Sequence, residues 1–259
     1  IDSLTLNPNH LYTAEGDYTV SLIVSSSNLG CADTLTDTVS IFPMPVANFS
    51  ATEVCLNEIT GFHDSSLVTA GNIASWTWDF GDGFTSVLQH SNHTYSAFNT
   101  FNVKLIVTSA NLCSDSVIKP ATVHPLADAQ FVTSNVCDGD TVFFTSLSSI
   151  PTNSTNDVIV NWMWDFGDNS NVGIIQNPAH LYISAGSYSV QLLVVSDFGC
   201  ADSTSSAAIV NPKPTVLFTA QDTTACSPLC VSFQNTSFVN GGTLAGAIWS
   251  FGDSTQTIS

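Results

Sequence analysis

The chain of 259 residues sets 3 Lys and no Arg against 21 acidic residues, a formal net charge of −18. Nothing in it can neutralise a run of phosphates, so nucleic-acid binding and docking on an anionic membrane surface are excluded. With 44% hydrophobic and 9% charged residues the chain can build apolar cores, which argues against disorder.

No run approaches the ~18–20 apolar residues of a membrane span, so no insertion is expected in this segment. Ile1-Asp2-Ser3 offers neither the basic nor the apolar region of a signal peptide. Seven cysteines without a Cys-x-x-Cys pair fit an oxidising, extracellular setting better than a zinc or redox site.

In chain order, the first predicted element is Tyr18-Thr-Val-Ser-Leu-Ile-Val24, which follows His10-Leu-Tyr12 and precedes Gly30-Cys31. Tyr18, Val20, Leu22 and Val24 share one face, the period-two signature of a half-buried strand. The same block returns as His93-Thr-Tyr95, Phe101 to Val107 and Cys113. It returns again as His180-Leu-Tyr182, Tyr188 to Val194 and Cys200. A second block, Trp76-Thr-Trp-Asp-Phe-Gly-Asp82, recurs as Trp162-Met-Trp-Asp-Phe-Gly-Asp168 and, weakened, as Ala247-Ile-Trp-Ser-Phe-Gly-Asp253. Its second Trp steps by 86 and then 85 residues, and the tyrosines of the other block step by 83 and 87. One unit is repeated in tandem.

Prolines at Pro43, Pro45, Pro125, Pro212 and Pro214 punctuate the joints. The expected division is 1–44, the second half of a unit; 45–125 and 126–213, whole units; and 214–259, a first half. The halves together make about one unit, so the expectation is a stretch of a longer chain. Short strands at roughly 8–12-residue spacing in a unit of this size predict an all-β chain of immunoglobulin-like sandwiches, seven-stranded and arranged end to end. Strand A is expected over Val46–Phe49, strand B over Ile59–Phe62 and strand C over Trp76–Phe80, with F as the Tyr/Phe-x-Val-x-Leu-x-Val run and G after each cysteine.

These motifs resemble the PKD domain. The resemblance rests on Trp78-Asp79-Phe80-Gly81-Asp82 with Tyr95, and on Trp164-Asp165-Phe166-Gly167-Asp168 with Tyr182. Phe62-His-Asp-Ser-Ser66, Phe144-Thr-Ser-Leu-Ser148 and Phe233-Gln-Asn-Thr-Ser237 stand where the family carries strand B. The fourth unit departs, with Ala247 and Ser250 in place of Trp76 and Asp79. Cysteine-bearing arrays of this acidic composition look most like giant secreted surface proteins of Bacteroidota, including gliding adhesins exported by type IX secretion. The resemblance implies a structural stalk or filament segment at the cell surface that spaces a distal binding tip from the cell. Its partners would be neighbouring repeats, with surface glycans or other filament chains as further candidates. Alternatives are a linker array in a secreted hydrolase and a carbohydrate-binding module.

The signature residues read first as scaffold. The tryptophans and Phe80 belong to the packing of strand C, and Asp79-Phe-Gly-Asp-Gly83 to a turn in which glycine takes positive φ. The Tyr of each His-x-Tyr is expected to make a tyrosine corner. One His per unit cannot build a zinc site, and the loop before strand C holds one carboxylate, Asp64, too few for calcium. No catalytic, cofactor or metal residue is assigned, and no enzymatic activity is expected. Candidate O-glycosylation positions, after Asp, are Thr34, Thr38, Ser116, Thr141 and Ser203.

The cysteines fall between strands A and B (Cys55, Cys137, Cys226) or at the F–G turn (Cys31, Cys113, Cys200). Counting suggests Cys55–Cys113 and Cys137–Cys200. Strand geometry instead puts those turns at opposite poles, ~20 Å or more apart, and favours Cys55–Cys200 across the joint between the whole units. A local Cys226–Cys230 bridge is a further possibility.

Overall fold

The computed structural model describes residues 7–27, 30–152, 156–221, 223–224 and 226–253, and the backbone of 256–258. Residues 1–3, on which the leader reading rests, lie outside the described residues. Contacts divide the chain into two units, 1–125 and 126 onward. All regular structure among the described residues is β.

The first unit opens with a hairpin of β1 (Gly16–Ser25) and β2 (Ala32–Ile41), in register over ten pairs from Gly16↔Ile41 to Ser25↔Ala32. Then comes a complete sandwich: β3 (Phe49–Ala51), β4 (Val54–Cys55), β5 (Thr60–Asp64), β6 (Ile73–Asp79), β7 (Thr85–Ser86), β8 (Ser91–His93), β9 (Asn99–Ser109) and β10 (Ser114–His124). One sheet has the order β3-β5-β8 and the other β4-β10-β9-β6-β7. The strand count is eight, because the short β7 adds an edge beside Trp78 and Asp79.

The second unit repeats the plan with β11 (Phe131–Thr133), β12 (Val136–Cys137), β13 (Thr141–Ser146), β14 (Ile159–Asp165), β15 (Ala179–Leu181), β16 (Gly186–Ser196) and β17 (Ala201–Asn211). Its sheets are β11-β13-β15 and β12-β17-β16-β14. Beyond it lie β18 (Phe218–Gln221), β19 (Ser232–Asn235), β20 (Ile248–Ser250) and β21 (Gln256–Ile258), paired as β18-β19 and β20-β21.

Alternation dictates the cores. In β9, Val103, Leu105 and Val107 point inward and are fully buried, as are Val190, Leu192 and Val194 in β16. They pack on Phe49, Phe62, Trp78 and Phe80 in one sandwich, and on Phe144, Trp164 and Phe166 in the other. A chain so short of charge fills two separate cores with aromatic and β-branched residues, which is why truncating one of these aromatics costs about 3–5 kcal/mol.

The start of each sandwich differs from expectation. Strand A is split: Val46 only bridges to Leu67, β3 pairs with β5, and β4 crosses to run parallel with the end of β10 at His124↔Cys55. Strand B begins at Thr60 and runs on to Asp64.

Candidate functional site

The Asp-Phe-Gly-Asp turn joins β6 to β7 and is held by its own side chains. The Asp79 carboxylate accepts the Gly81 N–H at 3.0 Å, and Asp82 accepts the Phe84 N–H at 3.1 Å. Gly81 has φ +81°, and a Cβ there would sit 2.7 Å from the Asn102 carbonyl oxygen. Glycine is required at this position for both reasons. Gly167 repeats the conformation against Ser189.

The histidine belongs to this turn. His93 lies on Phe80 with ring planes 4° apart, and its Nε2 is 2.7 Å from Asp82 Oδ2. His180 does the same with Phe166, and with Asp168 at 2.7 Å. Burial alone would raise the pKa of Asp168, but hydrogen bonds from Ser170 and His180 outweigh it and hold the group below the ordinary aspartate value. Tyr95 donates to the Phe80 carbonyl at 3.0 Å and Tyr182 to Phe166 at 2.9 Å. Burial, and then the nearby aspartates, push both phenols well above the ordinary tyrosine value. The tyrosine corner therefore clamps strand C fifteen or sixteen residues upstream. The short local bond is made instead by the next tyrosine, Tyr18 to the Ala14 carbonyl and Tyr188 to that of Ser184.

Two further aspartate roles were not read from the sequence. Asp115 Oδ2 accepts the Ala47 N–H at 2.8 Å and Asp202 Oδ2 accepts that of Ala129 at 2.9 Å, pinning the incoming strand of each sandwich. The recurring Cys-x-Asp spacing was the signal available. Asp64 is buried and accepts from Trp76 Nε1 at 2.8 Å, from Gln89 and from the Ser66 N–H. Its burial would raise the pKa, but these bonds prevail and lower it. In the second sandwich Ser146 takes this place, and the buried Trp162 Nε1 has no hydrogen-bond partner among the described residues.

Trp78 and Trp164 are completely buried, with their indole N–H groups on the Leu88 and Ile175 carbonyls. No sugar-stacking face is left on them. Among the described residues no group of three or more His, Cys, Asp or Glu could hold a metal ion. The loop carboxylate Asp64 is already spent on neighbouring donors. No helix among the described residues is long and apolar enough to cross a membrane. Thr34, Thr38, Ser116, Thr141 and Ser203 are all exposed.

The cysteines correct two readings. Cys113, Cys137, Cys226 and Cys230 are free thiols, whereas Cys55 and Cys200 are disulfide-bonded. Neither within-unit pair forms. Cys55 sits beside His124 at the end of β10, and Cys113 lies just before Ser114 at its start. Ten residue steps of strand, ~33 Å, separate them, against the ~7 Å that a disulfide tolerates. The local Cys226–Cys230 bridge is also absent, both side chains facing solvent.

The sequence profile of the PKD domain matches residues 43–124 and 122–210. The chain is 31% identical over 104 residues to Collagenase ColA of Clostridium perfringens, a match that covers 40% of this chain and 9% of that protein. Among solved structures, the PKD1 domain of the Vibrio cholerae metalloprotease PrtV is 32% identical, with 33% of this chain and 96% of that one covered and a TM-score of 0.28. The PKD1 domain of Vibrio anguillarum Epp is 26% identical, covering 31% and 93%, with a TM-score of 0.30. With the profile met twice in tandem and its signature residues seated in two all-β sandwiches, this chain belongs to the PKD domain family.

Proposed function

We propose that these repeats are spacers in a large extracellular surface protein, a stalk or filament segment that holds a distal binding tip away from the cell. The observation that carries this reading is that the repeated signature is consumed inside each sandwich. In the two whole sandwiches Trp78, Trp164, Phe80, Phe166, Tyr95 and Tyr182 are buried, and the signature aspartates and histidines are bonded to one another or to backbone. A module that repeats inward-facing residues repeats a shape. Attachment to a gliding-type adhesin of Bacteroidota, exported by type IX secretion, is the finer form of the proposal, supported by the acidic, cysteine-bearing composition. A linker array in a secreted hydrolase is the alternative, favoured by the collagenase relative. The discriminating experiment is a binding screen of the purified chain against collagens and a glycan array. Spacers bind neither, and saturable binding to either would replace this reading with direct recognition.

We further propose that Cys55 and Cys200 bond to each other, the within-unit partners of both being free thiols. Such a bond suits a strand under load. The exposed Thr34, Thr38, Ser116, Thr141 and Ser203 are proposed as O-glycan acceptors on a surface protein. Intact-mass measurement of native protein tests this, and a mass equal to the bare polypeptide refutes it.

A further inference from the structure

The few basic residues of the chain are placed in a pattern that neither the fold nor the charge balance explains. Lys119 is followed by Pro120 and Lys213 by Pro214, while Lys104 precedes Leu105. Pro makes up 10 of 259 residues, so two of three lysines before a Pro is far above the rate that composition supplies. Arg is absent. A serine protease of the trypsin class selects a Lys or Arg through an acidic pocket and cuts the bond that follows it. A proline after that residue removes the N–H and fixes φ at the reacting bond, and such bonds resist the class. Lys104–Leu105 is then the one bond of these 259 residues that such an enzyme can cut.

The fold closes that bond. Lys104 stands in the middle of β9, paired with Asp79 of β6 on one side and with Ile118 of β10 on the other. Leu105, which supplies the N–H of the scissile bond, is completely buried. Extended peptides are bound through a free backbone edge, and both edges are already in use here. Cutting therefore requires β9 to leave the centre of its sheet, an opening close to unfolding of the whole sandwich. The prolines stand where strand pairing protects less. At Lys119 only the β9 side of β10 is paired, because β4 meets β10 at Val123 and His124 alone. Lys213 lies past the end of β17 and is exposed.

We infer that this chain has a further function, to persist among proteases that cut after basic residues. Proline guards the lysines whose backbone is open, and the sheet guards the one that has no proline. The inference holds whether the repeats are spacers or a linker array.

The test is digestion of the 259-residue chain by trypsin, read by peptide mass. The folded chain, disulfide intact, stays whole. Reduced and unfolded, it is cut once, into 1–104 and 105–259. Pro120→Ala and Pro214→Ala each add one cut to the unfolded chain, after Lys119 and Lys213. Val87→Lys separates the placement of lysine from the general sturdiness of the sandwich. It sets a Lys–Leu bond in an exposed loop after β7, and the folded variant is cut there. Cutting of the folded, unaltered chain, a cut after Lys119 or Lys213 in the unfolded one, or survival of folded Val87→Lys overturns the proposal.

Discussion

His93 lies flat on Phe80, ring centroids 4.5 Å apart, while its Nε2 meets Asp82 at 2.7 Å. One imidazole thus fastens strand β8 both to the core aromatic of the signature turn and to the turn's second carboxylate. His180, Phe166 and Asp168 repeat the arrangement.

Replacing this ring by Ala should cost the first sandwich about 1–3 kcal/mol, the sum of a lost charge-assisted hydrogen bond and lost ring contact. Hydrogen exchange in β9 against β16 localises the loss. Weakening of β9 protection alone is expected, because the second sandwich keeps its own His180.

The signature glycines should separate by what a Cβ would strike. Gly81→Ala meets the Asn102 carbonyl and a left-handed φ, whereas Gly83, at φ +96°, has open space around it. Strain alone costs about 1–3 kcal/mol. Gly81→Ala should therefore destabilise clearly more than Gly83→Ala in denaturant titrations of the same chain.

Ser146→Asp should stabilise the second sandwich. It supplies the carboxylate that Asp64 offers to Trp76, at a site where Trp162 Nε1 has no partner among the described residues. A gain of about 1 kcal/mol in unfolding free energy is expected, and Trp162→Phe in the same background should erase it.

Acid should destabilise the sandwiches through Asp64 and Asp168. Both have folded pKa values below the ordinary 3.8. Their contribution is therefore complete above that value and lost as pH falls through the depressed folded pKa. Asp64→Asn removes the Asp64 part of the slope, so the stability of variant and parent should converge at low pH. Parallel curves down to pH 2 would contradict the assignment.

Much of this was legible in the sequence, and for a physical reason. Period-two alternation in Tyr18–Val24 and its copies fixes a buried face, and the returning Trp-x-Trp-Asp-Phe-Gly-Asp fixes the number of cores. The strand-length argument also set Cys55 and Cys113 far apart. What stayed hidden were pairings between distant polar groups. His93 with Asp82, Asp115 with the Ala47 N–H, and Asp64 with Trp76 each depend on how strands are stacked. The crossing of β4 to the partner sheet was invisible for the same reason, two residues carrying too little pattern to mark a strand.

The spacer account is tested most directly by pulling a single chain from its two ends, oxidised and then reduced. The residues between Cys55 and Cys200 span roughly 50 nm when extended at about 3.5 Å each. In the oxidised chain that length should stay withheld, because the proposed bond carries force past residues 56–199 and leaves only the outlying strands β3 and β17 of the two sandwiches in its path. After reduction, two discrete unfolding events should release it. Full extension of the oxidised chain, or release of the sandwiches at negligible force after reduction, would contradict a load-bearing role.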